Sequence, residues 1–318
     1  MAAMNSLGKL SMTALLFSYI GMAGACSDDP SEVSTDGGVE TVDASNSTDA
    51  TPGSADWQLL IEGSWEIPAG TEFYKCARVT LSEDTYISDF KAIGPAGTHH
   101  TVLSVGDPDG PDGISTCDAG KNHPTMIFGS GIGPAEFSFP EGVGVKIPAG
   151  QQLLLNLHLF NVSESVITGT SGTQVKFSSA DKIIHEAESV LAGSVQISIP
   201  PGQAVDVVGN CTAEQDITVI SVAPHMHQIG THMKIEALRA DGDMMLSDEP
   251  YDFRDQKLYQ LEPFTMKQGD KIKVTCSYNN TTDQTVGFGD SSNSEMCFGG
   301  FYRYPKRPTT PFGILCLN

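Results

Sequence analysis

The chain is short of positive charge, of helical pattern and of clustered cysteine. Lys and Arg number 18 against 39 Asp and Glu, leaving a formal charge of −21. That balance excludes nucleic acid and an anionic membrane surface as partners. Helical periodicity is nearly missing, so bundles of amphipathic helices are not expected. No Cys-x-x-Cys spacing occurs, which excludes the close thiolate pairs that bind structural zinc. Residues 27–56 contain eight Asp or Glu but no Lys, Arg or aromatic residue. Such a stretch cannot bury enough apolar surface to order itself and reads as a flexible acidic spacer.

The amino-terminal end of the chain reads as a targeting signal. Lys9 and the apolar run Leu10 to Ala25 form a signal sequence over residues 1–25, too short to span a membrane comfortably. It closes on Ala23-Gly24-Ala25 followed by Cys26, which resembles a bacterial lipobox with Cys26 as the lipidated first residue. Residues 26–56 then tether the folded region to a membrane. An exported cell-envelope lipoprotein, acting as a monomer, is the expectation. Setting Cys26 aside leaves six cysteines, an even number that an exported protein would oxidise in pairs. Spacing alone leaves every pairing open.

From Trp57 onward, alternation of period two dominates. Examples are Gln151 to Phe160, Asp216 to Val222 and Lys271 to Tyr278. Turn residues separate them, as at Gly94-Pro95, Pro148-Ala-Gly150, Pro200-Pro-Gly202 and Gln268-Gly-Asp270. The pattern predicts an all-β chain of antiparallel β-sandwiches. Pro148-Ala-Gly-Gln and Pro200-Pro-Gly-Gln each lead into a strand, a weak echo that suggests two similar domains, 57–182 and 183–318.

Six side chains of ligand type fall into two clusters: His99, His100 and His158, then His225, His227 and Met296. Imidazoles suit copper, zinc, iron and nickel, and a thioether favours Cu(I), so the set reads as two different copper sites and redox chemistry with dioxygen. His225 and His227, two apart in an extended run, can project on one face and chelate one ion. His99 and His100 are neighbours and can do so only where the backbone bends, which Gly94-Pro-Ala-Gly97 would allow. Taken singly, His158 reads as a hydrogen-bonded core residue and Met296 as core packing. His123, His185 and His232 fit neither cluster and are read as structural.

These residues carry a resemblance. Phe73-Tyr-Lys-Cys76, Ile87-Ser-Asp-Phe90, Thr98-His-His-Thr-Val-Leu103, Leu153 to His158, Pro224-His-Met-His-Gln-Ile-Gly230 and Ser294-Glu-Met-Cys297 are similar to segments of the copper type II, ascorbate-dependent monooxygenases. The resemblance runs from about residue 60 to Cys316. It implies two jelly-roll-like sandwiches facing each other across a cleft. It also implies an electron-storing copper on His99, His100 and His158, and an oxygen-activating copper on His225, His227 and Met296. With ascorbate or another reductant and O₂, such a site would hydroxylate a C–H bond of a small substrate whose identity the sequence leaves unspecified. A copper-handling lipoprotein without turnover is the alternative. The implied disulfides are Cys76–Cys117, Cys211–Cys316 and Cys276–Cys297. Peptide-amidating members carry an arginine two residues before the His-x-His, and an asparagine and a tyrosine two and four after the methionine. Here those places are Ala223, Phe298 and Gly300, so a grip on a peptide carboxylate is not expected.

Overall fold

The computed structural model describes residues 56–131, 135–307 and 315–317. The signal sequence, Cys26 and the spacer up to residue 55 lie outside the described residues. The described part contains strands and no helix.

The first half is a sandwich of two sheets. One runs β1 (Gln58–Ile67), β10 (Ile167–Phe177), β3 (Thr85–Ile93), β8 (Val143–Ile147) and β11 (His185–Glu186), with β7 (Glu136–Ser138) also on β3. The other runs β5 (Gly113–Thr116), β2 (Glu72–Thr80), β9 (Gln152–Phe160), β4 (Thr98–Gly106) and β6 (Thr125–Ser130). The second half repeats the plan. Its sheets are β18 (Tyr259–Met266), β15 (Ile217–His225), β21 (Cys297–Tyr304), β12 (Glu188–Ser194) and β22 (Leu315–Cys316), facing β14 (Ala204–Thr212), β19 (Lys271–Asn279), β16 (Gly230–Leu238) and β17 (Met244–Pro250). A short pair, β13 (Ser198–Ile199) with β20 (Val286–Gly287), completes it. Pairing is antiparallel except where β11 joins β8 and β22 joins β12.

Period-two burial sets which side chains reach the cleft. In β9, Leu153, Leu155, Leu157 and Leu159 enter the first core, while Asn156 and His158 take the opposite face. Asn156 is satisfied there by the carbonyls of Asp118, Ala119 and Lys121. In β21, Cys297 and Phe301 enter the second core, while Phe298, Gly300 and Tyr302 face the other way. Tyr302 and Ile220 reach into the first core from the second half, and the Tyr302 hydroxyl donates to the Ile127 carbonyl at 2.5 Å. The halves therefore share packing at one end of their interface.

The internal echo has a different match from the one sequence alone suggests. Asn161, just past β9, donates to the Ile67, Pro68 and Ser165 carbonyls. Asn280, just past β19, donates to the Ile199, Pro200 and Gln284 carbonyls. Pro200-Pro-Gly202 thus corresponds to Pro68-Ala-Gly70. Pro148-Ala-Gly150 corresponds instead to Gln268-Gly269: Gly150 N donates to Leu81 O and Gly269 N to Ala213 O, both at 2.8 Å. The three disulfides are Cys76–Cys117, Cys211–Cys316 and Cys276–Cys297. Such bridges belong to an oxidising, extracytoplasmic setting.

Candidate functional site

The first cluster is built inside strands. His100 on β4 lies directly opposite His158 on β9, and the register slips between Thr98 and His100. His99 is therefore the extra residue of a β-bulge, which turns its side chain to the same face as its neighbour's. Gly97 enters this bend at φ 103°, and a Cβ there would meet Ile167 and Trp65 at 2.8 and 2.9 Å. The result brings one nitrogen of each ring together within 4.8 Å. His99 and His100 approach Nδ1 to Nδ1 at 3.1 Å, and His158 Nδ1 lies 3.3 Å from His100 Nδ1.

His158 is oriented from behind. Its Nε2–H donates to the Glu72 carboxylate at 2.5 Å, and its ring stacks on Tyr74 at 4.4 Å. That bond fixes the proton on Nε2 and leaves a bare lone pair at Nδ1, the usual role of a carboxylate behind a metal-binding imidazole. Burial holds His100 and His158 below the ordinary imidazole range and His99 down to about 4. Three neutral rings aiming nitrogens at one point fit a cation that accepts imidazole ligands.

The second cluster stands on a strand end and two loops. β15 ends at His225, Met226 turns into the second core, and His227 returns to the side of His225. Their ring centroids lie 5.3 Å apart. His225 Nδ1–H donates to Gln256 Oε1 and His227 Nδ1–H to the Ser294 carbonyl, each at 3.0 Å. Both Nε2 atoms are thereby left as the free lone pairs. Burial lowers His225 to about 4 and also lowers His227.

Met296 is tied to the same loop by its neighbours. Glu295, 1% exposed, accepts the backbone N–H groups of His227 at 2.8 Å and Ile229 at 2.9 Å. Burial raises its carboxyl to about 6 against the pull of those donors. Tyr278 donates to the Met296 carbonyl and Tyr251 to the Met226 carbonyl, both at 2.6 Å. Cys297 bridges to Cys276 on β19 in the opposite sheet, fixing the backbone beside Met296.

A cavity of about 600 Å³ between the halves is lined by His100 from the first cluster and by His225, His227 and Met296 from the second. Phe253, in the loop between β17 and β18, links the clusters: its ring centroid lies 4.8 Å from His99 and 5.9 Å from His227. Ala223, Phe298 and Gly300 line the same cavity.

Four of the six candidate ligands thus line one cavity, and His99 and His158 gather on His100 behind it. Residues 185–311 match the model of the "Copper type II ascorbate-dependent monooxygenase, C-terminal domain". That stretch carries the C-terminal domain of the copper type II ascorbate-dependent monooxygenase family. Among curated proteins it is similar to the human "DBH-like monooxygenase protein 1", 29% identical over 222 residues, covering 63% of this chain and 35% of that protein. It is also similar to the mouse "DBH-like monooxygenase protein 2", 26% identical over 276 residues, covering 76% of this chain and 44% of that protein. The matched region spans less than half the length of either relative.

Sequence reasoning passed over Glu72, Phe253, Gln256 and Glu295. The only signal was adjacency for Glu295, which precedes Met296; the other three lie at least 26 residues from the ligand they serve. Of the histidines read as structural, His123 is buried against this cavity, His185 stacks on Tyr304 and His232 pairs with Asp248.

Proposed function

We propose that this protein is a copper-dependent monooxygenase that hydroxylates a C–H bond of a small substrate, using O₂ and ascorbate or another one-electron reductant. One observation carries the reading: two donor clusters of different chemistry border a single cavity and are linked by one aromatic ring. Copper held at both clusters would supply electron storage at the first and oxygen activation at the second. The residues supply the rest. His99, His100 and His158 would hold the first ion through imidazoles kept neutral by burial, one of them oriented by Glu72. His225 and His227 would offer Nε2 atoms to the second, their rings fixed by Gln256 and Ser294. Met296 would complete that site with a soft sulfur, its backbone set by Glu295, Tyr278 and the Cys276–Cys297 bridge. Phe253 stands between the clusters, its ring 4.8 Å from His99 and 5.9 Å from His227.

The substrate differs from a peptide with a free carboxylate. Ala223, Phe298 and Gly300 offer no cation and no side-chain donor, so a buried carboxylate would remain unpaired. In the cell the chain would be an exported monomer held to a membrane by lipid on Cys26.

The test is elemental analysis of the purified protein together with ascorbate-dependent O₂ uptake and mass spectrometry of products from supplied extracts. Two copper ions per chain and a product one oxygen heavier are expected. Met296→Ala should keep copper at the three-histidine cluster while product formation falls by at least about 100-fold, since only the soft ligand is lost. A single ion per chain, zinc at both clusters, or copper with no product would overturn the reading.

A further inference from the structure

The outer face of the sheet β15-β21-β12 shows three successive rows of side chains toward the cavity. The first row pairs His225 with Phe298, the second aligns Ala223, Gly300 and Leu191, and the third pairs Tyr302 with Ser189. Each row is two residues further along β21, so the third lies about 13 Å from the first.

The middle row is a trough. Gly300 has no side chain, and a Cβ placed there would meet Ala223 Cβ and Leu191 Cδ2, each at 3.4 Å. Apolar walls therefore begin at His225 and continue without a polar side chain until the third row. There the Tyr302 ring closes the end, its hydroxyl engaged by Ile127 and its backbone N–H by Ser221 Oγ. Ser189, 6% exposed, lines the cavity, and its hydroxyl makes no hydrogen bond among the described residues. Lys257 is the one Lys or Arg among the described residues lining the cavity, and it pairs with Asp255 at 2.5 Å.

We propose that this strip is the binding floor for an uncharged, largely apolar substrate that lies along the Gly300 trough, reaches His225 at one end and places a hydrogen-bonding group on Ser189 at the other. The inference rests on the monooxygenase reading for what happens at the His225 end, but the floor itself is a property of the sheet. An anion would leave water for apolar walls without a partner, whereas a neutral chain gains by burial.

Titration calorimetry of the full chain with 1-octanol, octanoate and ethylbenzene tests it, with copper content measured on the same samples. 1-Octanol should bind at least about tenfold tighter than octanoate. Gly300→Tyr should abolish 1-octanol binding by filling the trough. Ser189→Ala, which removes one oxygen only, should weaken 1-octanol by about two- to tenfold and leave ethylbenzene unchanged. Equal affinity for octanoate and 1-octanol, or 1-octanol binding that survives Gly300→Tyr with both coppers in place, overturns the floor and leaves the copper reading standing. Loss of 1-octanol binding in Gly300→Tyr together with failure of the wild-type chain to load copper supports the floor and overturns the copper reading instead.

Discussion

In the first sandwich, His100 faces His158 across β4 and β9, three residues before the buried Asn161. At the same station of the second, His232 faces Ser277 across β16 and β19, three residues before the buried Asn280. The frames coincide, but the donor groups do not. The first half sets its cluster into the middle of a sheet, where register fixes His100 against His158 and one bulge adds His99. The second half moves its cluster to the end of β15 and onto loops, and must anchor it with Glu295, Gln256 and two tyrosine hydroxyls. A cluster inside a sheet is held by the ladder. One on loops borders open space, and the cavity lies beside it. The comparison teaches that a rigid donor set and an accessible one can be made from one fold by moving ligands off the sheet and onto the loops at its end.

The sharpest break of the comparison is to alter the two equivalent histidines. His100→Ala should lower copper affinity at the first cluster by more than about 100-fold, removing one ion per chain by elemental analysis. His232→Ala should remove none, because its imidazole meets only the exposed Asp248 at 3.2 Å. Equal losses would mean that the shared station binds metal in both halves.

The next test asks whether the frame itself is equivalent. Asn161→Ala and Asn280→Ala each strip three carbonyls of a buried donor. Each should cost about 2–3 kcal/mol in urea unfolding, and the two costs should agree within about 1 kcal/mol. A cost confined to one of them would show that the second frame is held by other means.

Acid should divide the halves least. His99 and His225 both have folded values near 4, below the ordinary imidazole value of 6.5. Each binds fewer protons folded than unfolded between pH 6.5 and 4, so its contribution is present above 6.5 and is lost as pH falls through 4. Glu295 has the opposite sign. Its folded value near 6 exceeds 4.5, so its contribution is present below 4.5 and is lost as pH rises through 6. Glu295 therefore offsets part of the acid sensitivity of His225. In the metal-free protein, Glu295→Gln should steepen the loss of stability between pH 6 and 4.5 by on the order of 1–2 kcal/mol, read from urea midpoints. An unchanged slope would assign Glu295 no part in the balance.

Much of this was legible in the chain. Alternation in segments such as Lys271 to Tyr278 specified strands, because a period of two is the only pattern that buries one face of a half-covered sheet. The order of six donor-type residues named side chains that the fold gathers into two clusters, and Gly97 lies at the bend beside His99. The echo at Pro148 was misassigned because short Pro-Gly turns look alike in sequence. The hydrogen bonds of Asn161 and Asn280 mark the turns that open β2 and β14, and those of Gly150 and Gly269 mark the turns that open β9 and β19.

What the sequence determined by itself was therefore local: strand periodicity, turn chemistry, the donor types, and the absence of a cation at Ala223, Phe298 and Gly300. What only the tertiary structure decided was which distant residues meet. Glu72 lies 86 residues from His158, and Gln256 lies 31 from His225. Such partners are chosen by strand order and loop path, which depend on how two cores pack as wholes. The trough at Gly300 is of the same kind. A glycine in a strand is read from sequence as a weak point, and it becomes a binding floor only when Leu191 and Ala223 flank it on neighbouring strands and a second sandwich roofs it.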